Sequence, residues 1–216
     1  MNCVLIDMSG VFGQEGFTGL PSVDLKGLEG TNCYCSPEAA SAIRRELARI
    51  PLSTACWIDT GDYHYLSYFR GCMIKEPFEL VLLDNHTDDF DDADCLSCGN
   101  WVRALRHDSS YLSFRPSSLS FRPSAASGEI SNLPVFLSID LDVLSPADFR
   151  TNWDQGTMTF DELLDTVRRI AAERRIIAVD ICGGITESKG ALSCDLSFNR
   201  LQRRRLLELL EKIFAE

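Results

Sequence analysis

Short apolar runs recur along this chain, and each closes on or just past an aspartate. Cys3 to Asp7, Ala55 to Asp59, Phe78 to Asp84, Pro134 to Asp140 and Ile176 to Cys182, with Asp180 near its end, all have this form. A continuously apolar run of this length, bounded by turn residues, predicts a strand buried on both faces. Segments with helical apolar spacing lie between the runs. Ser36-Pro37-Glu38 opens the first, with serine as cap, proline in the first turn and glutamate at the positive end of the helix. That helix runs through Ala42, Ile43, Leu47 and Ile50 and stops before Pro51. Shorter helices are predicted over 65–72 and 99–106, an amphipathic one over 160–172 with Thr159 or Asp161 at its start, and a long C-terminal one over 198–214. Residues 8–36, rich in Gly, Ser and Asn, are expected to form a long loop. Strands alternating with helices predict an α/β fold with a mostly parallel sheet covered on both faces.

In such sheets ligands bind beyond the carboxyl ends of the strands, where this chain concentrates its chemistry. Val81-Leu82-Leu83 runs into Asp84-Asn85-His86-Thr87-Asp88, which offers carboxylate, imidazole and carboxylate at i, i+2 and i+4. Strand alternation would set all three on one side. The run ending at Asp140 continues to Asp142, and the Ala55–Asp59 run is followed by a Thr60-Gly61-Asp62-Tyr63-His64 turn. Each motif alone also fits a solvated acidic loop, as most of 88–94 does. Together they place acids and histidines on one sheet edge and point to a divalent-metal site.

The chain has 216 residues, enough for one domain with a sizeable core. Its formal net charge of -11 disfavours nucleic acid as a partner. No apolar run approaches the roughly 20 residues of a membrane span. The N-terminal run reads as a strand rather than a targeting segment, so a cytoplasmic location is expected. An odd count of nine cysteines, without such a segment, argues for reduced thiols. Cys95-Leu96-Ser97-Cys98 is one C-x-x-C, but Cys33-Tyr34-Cys35 is poorly spaced as the second pair that structural zinc needs, while Cys3, Cys56 and Cys182 read as small hydrophobes. Leu112-Ser113-Phe114-Arg115-Pro116-Ser117 recurs as Leu119-Ser120-Phe121-Arg122-Pro123-Ser124, a tandem duplication whose prolines predict an exposed loop. Trp101 is expected in the core or a pocket wall, and Arg203-Arg204-Arg205 on a solvated helix face, with a homo-oligomer conceivable.

The paired carboxylate motifs, Asp84/His86/Asp88 and Ser138/Asp140/Asp142 with Pro146, resemble the arginase/agmatinase family of ureohydrolases. The Gly61-Asp62-Tyr63-His64 turn resembles that family's Gly-Gly-Asp-His motif with one residue inserted. The resemblance covers roughly residues 54–185. It implies a three-layer α/β/α fold with a mostly parallel central sheet, two Mn2+ ions, and a small-molecule guanidino-type substrate. It also implies that one ion takes His64, Asp84, Asp88 and Asp140, and the other His86, Asp84, Asp140 and Asp142, with Asp84 and Asp140 bridging. On the same resemblance Asp88 and Asp180 are expected to serve the chemistry, and Asn100 and Asp180 to touch the substrate.

The chain departs from the family in two places. Where the family carries a proton-shuttling histidine this chain has Val102, and where it carries a guanidinium-gripping glutamate this chain has Gly183. Asp180 or Glu187 is then left as the nearby acid. The expected activity is therefore hydrolysis of a C–N bond in a guanidino-, amidino-like or amide substrate other than arginine. The alternatives are a non-catalytic descendant that keeps the metals, and a single-zinc amide hydrolase of the related deacetylase type, which would need His107 as a further histidine.

Overall fold

The computed structural model describes residues 2–91, 95–112 and 132–214. Six strands form one all-parallel sheet: β1 (Cys3–Asp7), β2 (Ser22–Asp24), β3 (Ala55–Ile58), β4 (Glu79–Leu83), β5 (Val135–Asp140) and β6 (Ile176–Cys182), in the order β2-β1-β3-β6-β5-β4. The helices are α1 (Val11–Glu15), α2 (Pro37–Leu47), α3 (Leu66–Met73), α4 (Trp101–Asp108), α5 (Phe160–Glu173) and α6 (Ser193–Ile213).

Side chains alternate along each strand, so every strand feeds two cores. On one face Leu5, Trp57, Leu137, Ile139, Val179 and Ile181 pack with residues of α1, α5 and α6. On the other, Ile6, Cys56, Ile58, Leu80, Leu82 and Phe136 pack with α2, α3 and α4. This is the three-layer α/β/α arrangement, and it explains why β1 and β3 to β6 are apolar along most of their length. The predicted helix starts hold where a side chain caps them. The Ser36 hydroxyl accepts from Ala39 N, and Thr159 with Glu162 forms a reciprocal capping box.

The structure corrects three expectations. Residues 8–36 are not one loop, since they contain α1 and the edge strand β2. The last helix starts at Ser193, where the Asp195 carboxylate accepts from Leu192 N at 3.0 Å. Arg203 is not solvated: it is fully buried, its Nε donates to Glu15 Oε2 at 2.5 Å and its Nη2 donates to the Gly183 carbonyl at 2.5 Å. The rings of Phe12, Trp57 and Phe149 stand 5.2, 5.8 and 5.4 Å from its guanidinium carbon. Apart from Leu112, which bridges Phe78, the duplicated segment lies outside the described residues. No described helix is long and apolar enough to cross a membrane.

Candidate metal centre

Three strand exits build the site. Beyond β3 the Gly61–Tyr63 turn delivers His64, which is buried. Its Nε2 is 2.9 Å from the Ser138 hydroxyl on β5, which fixes the ring. Its Nδ1 then faces Asp88 Oδ2 at 2.9 Å, Asp84 Oδ2 at 3.3 Å and Asp140 Oδ2 at 3.5 Å. β4 stops at Leu83, so strand alternation does not align Asp84, His86 and Asp88. The segment curls instead: His86 N donates to Asp84 Oδ1 at 2.6 Å, and Asp88 takes a left-handed φ of 48°. After β5 the Asp140 carboxylate accepts from Asp142 N at 2.9 Å, which opens a tight helical turn over Leu141–Val143. That turn aims Asp142 Oδ2 at His86 Nδ1, 2.8 Å away.

The result is two ligand groups joined through one carboxylate. His64, Asp84 and Asp88 offer one set of converging atoms, and Asp84, His86 and Asp142 another. Asp84 turns Oδ2 to the first set and Oδ1 to the second. Asp140 converges with His64 and Cys182, and is not in the group with His86. Cys182, read from sequence as a small hydrophobe, thus sits beside the ligands. It reaches them because β5 and β6 pair Asp140 with Cys182.

The electrostatics call for cations. Burial, then Asp142 and Asp84, push the Asp140 carboxyl well up, and burial with Asp84 pushes Asp88 up. Burial also lifts Asp142, to about 6. Burial opposes charge on His64, yet Asp84 and Asp88 outweigh it and raise that ring well above its ordinary value. Asp142 and Asp84 push His86 up to about 10. Burial would raise Asp84 too, but His64 and His86 bring it down to about 2, and its Oδ2 has no hydrogen-bond partner. Four buried carboxylates around two imidazoles, with an orphaned oxygen at the shared residue, fit divalent cations: an ion supplies the positive charge that the protons now supply. Oxygen-rich ligation with one histidine per group suits a hard-to-borderline ion. Metal uptake must displace the proton held at His86, so apparent affinity is expected to rise with pH from 6 towards 9; calorimetry in buffers of different ionisation enthalpy would show the proton release.

A cavity of about 50 Å³ opens on these ligands, walled by Gly61, Phe90, Cys98, Gly99 and Trp153. Two expected residues do not reach it. Asp180 is fully buried in an ion pair with Arg70, Nε to Oδ1 at 2.7 Å, and does not line the cavity. The Asn100 amide is spent on its own loop, accepting from Ser97 N at 2.8 Å and donating to the Cys95 carbonyl at 2.9 Å. Glu187 is exposed and outside the cavity wall, and His107 projects to solvent on α4 beside Asp108. Asp59 is a tie between strands, its carboxylate accepting from Met8 N, Ser9 N and Thr60 N.

Sequence reasoning missed Trp153. It also left the part of Trp101 open: the indole is buried, lies 4.9 Å from the His64 ring, and donates from Nε1 to Asp88 Oδ2 at 2.6 Å. Such outer hydrogen bonds orient ligands. Trp101→Phe keeps the packing and loses the donor, so metal affinity is expected to fall about 10- to 100-fold with little change in melting temperature, checked by competition with a chelator.

No family model matches the chain. An uncharacterized protein of Thermotoga maritima is 29% identical over 193 residues, which cover 83% of this chain and 78% of that protein. A hypothetical agmatinase from Burkholderia thailandensis superposes with a TM-score of 0.64 at 18% identity, covering 100% of this chain and 88% of the other. The chain has the arginase-like ureohydrolase fold. A Trypanosoma cruzi formiminoglutamase variant, solved with Mn2+, superposes with a TM-score of 0.63 at 10% identity, over 99% of this chain and 93% of that one. At these identities the arginase-like fold is shared, and the chemistry of this chain has to be argued from its own residues.

Proposed function

We propose that this arginase-like protein is a metal-dependent hydrolase that cleaves a C–N bond in a small guanidino- or amidino-like molecule, with Mn2+ as its ion. The observation that carries this reading is the pair of ligand groups joined through Asp84. His64, Asp84, Asp88 and Asp140 would hold one ion, and His86, Asp84 and Asp142 the other. Two such ions, if held there, would supply an acidified water and polarisation of a planar carbon. The protein's own part is preorganisation. Ser138 fixes His64, Trp101 holds Asp88, and Asp140 sets the turn that carries Asp142. The cavity of about 50 Å³ opens directly on these ligands and has room for a small head group.

Metal analysis tests the centre. Two Mn2+ per chain after loading is expected; one Zn2+ per chain, or none of either, would overturn it. A screen of guanidines, amidines and formimino compounds then tests turnover. A specific observation favours a second reading, in which the protein binds its metals and ligand without turnover. Val102 is buried where the resemblance implies a proton-carrying histidine, and Gly183 stands where it implies a glutamate. Gly183 cannot simply be restored. Its φ is 108°, and a Cβ there would lie 2.9 Å from Asp140 Oδ1 and 3.0 Å from Leu141 N. Gly183→Glu is therefore expected to lower Mn2+ content below half of wild type instead of creating activity, as read by elemental analysis.

A further inference from the structure

The wall of the cavity above the ligands is aromatic, and both rings are seated on glycines. Trp153 lies over Gly61: a Cβ on that glycine would come within 2.7 Å of the indole Cδ1. The indole is pinned on that same edge, where Nε1 donates to Asp62 Oδ1 at 3.0 Å; the neighbouring Asn152 Nδ2 donates to the same oxygen at 2.9 Å. Its ring stands 6.0 Å from that of His86 at 71°. Phe90 lies over Gly99 in the same way, 3.2 Å from where a Cβ would be, and its backbone N donates to the Gly99 carbonyl at 3.0 Å. Both rings stay solvent-accessible, 37% for Trp153 and 52% for Phe90. Apolar rings left open at the lip of a buried acidic site are surface that a ligand can cover.

Charge points the same way. Among the described residues no lysine or arginine lines the cavity. The cations flanking these rings are already engaged: Lys189 Nζ lies 3.6 Å from Asp62 Oδ2, and Arg103 pairs with Asp91 at 2.8 Å. A substrate with a carboxylate tail would find no free described cation and would meet Asp62, Asp91 and the ligand carboxylates. At about 50 Å³ the cavity holds a small head group, being a few times the roughly 10–15 Å³ of a single water-sized sphere. Whatever the head group is attached to extends beyond the ligands, where Trp153 and Phe90 are the exposed rings of the cavity wall.

We infer that Trp153 and Phe90 are specificity-determining residues that select a substrate whose amidine or guanidine head is joined to a flat, apolar, aryl-like group and that carries no carboxylate. This rests on the reading of the metal centre given above. The head enters the cavity towards the ligands, and the aryl part is covered by the indole and phenyl faces.

The test uses full-length protein loaded with Mn2+ and three probes: benzamidine, 4-guanidinobutyrate and guanidinium. Binding is measured by calorimetry and metal content by elemental analysis. Benzamidine is expected to bind at least about tenfold more tightly than 4-guanidinobutyrate or guanidinium. Trp153→Ala and Phe90→Ala are each expected to weaken benzamidine about tenfold while Mn2+ content and guanidinium binding stay as in wild type. Trp153→Phe, which keeps a ring and loses the bond to Asp62, should recover most of the loss. Variants that retain Mn2+ and bind benzamidine like wild type would overturn the inference, as would tighter binding of 4-guanidinobutyrate. A wild-type protein that takes up Mn2+ but binds no probe overturns the inference and leaves the metal centre standing. A wild-type protein that takes up no Mn2+ overturns both.

Discussion

Asp84→Ala is expected to empty both halves of the metal centre at once. Its two oxygens face different ligand groups, so removing it takes one ligand from each and leaves His64 and His86 among carboxylates that no longer share a bridge. Retained Mn2+ is expected to fall below a tenth of wild type, and any C–N hydrolysis to background, with the fold intact because Asp84 lies beyond β4 and makes no strand pairing. Asp88→Ala should be milder, since it touches only the His64 group. Elemental analysis and circular dichroism together would check this. Full metal content in Asp84→Ala would remove the bridge from the account.

The largest stability effect is expected at Arg203. Its guanidinium is the charge that faces Glu15, and both groups are completely shielded from water. Burial raises the Glu15 carboxyl, and Arg203, by charge and hydrogen bond, works against that rise. Arg203→Met leaves a buried carboxylate alone and a Gly183 carbonyl without its donor, which costs roughly 3–5 kcal/mol. For a chain of this size that corresponds to a fall in melting temperature on the order of 10 °C. Because removing both charges is far less harmful than removing one, Glu15→Leu combined with Arg203→Met should regain much of the loss. A double variant no more stable than Arg203→Met would show that the ion pair is not the source of the effect. Loss of Mn2+ is also expected in Arg203→Met, since the carbonyl that Arg203 holds belongs to Gly183, which abuts Asp140.

The contrast between these two residues shows what a sequence can and cannot reveal here. The sheet was legible because a strand buried on both faces is apolar at nearly every position, as Ala55–Ile58 is throughout and Val135–Ile139 is except at Ser138. The acids and histidines at the strand exits were legible because their spacing is short and local. Their convergence was not produced by alternation, however, but by a curl in which Asp84 captures His86 N and Asp88 turns left-handed. Partners far apart in the chain were invisible. Arg203 looks like a surface arginine until Glu15, 188 residues earlier, is placed beside it. Asp180 looks like a site residue until Arg70, 110 residues away, occupies it. Asn100 fell in the expected motif, but its amide was already engaged within its own loop. Trp153 carried no signal at all, because a lone tryptophan after an irregular stretch becomes a cavity wall only once Gly61 lies under it.

The strand order has a consequence for how this protein comes to exist. β6 is the last of the six described strands in chain order, yet it lies between β3 and β5 in the middle of the sheet. Until it arrives, the sheet is two unjoined halves, one carrying His64 and the other Asp84, His86, Asp88, Asp140 and Asp142. Its pairing with β3 closes a loop of more than a hundred residues, a slow kind of step in folding. The nascent chain therefore exposes two open strand edges and an incomplete set of ligands for most of its synthesis. Metal capture, on this topology, follows the docking of β6.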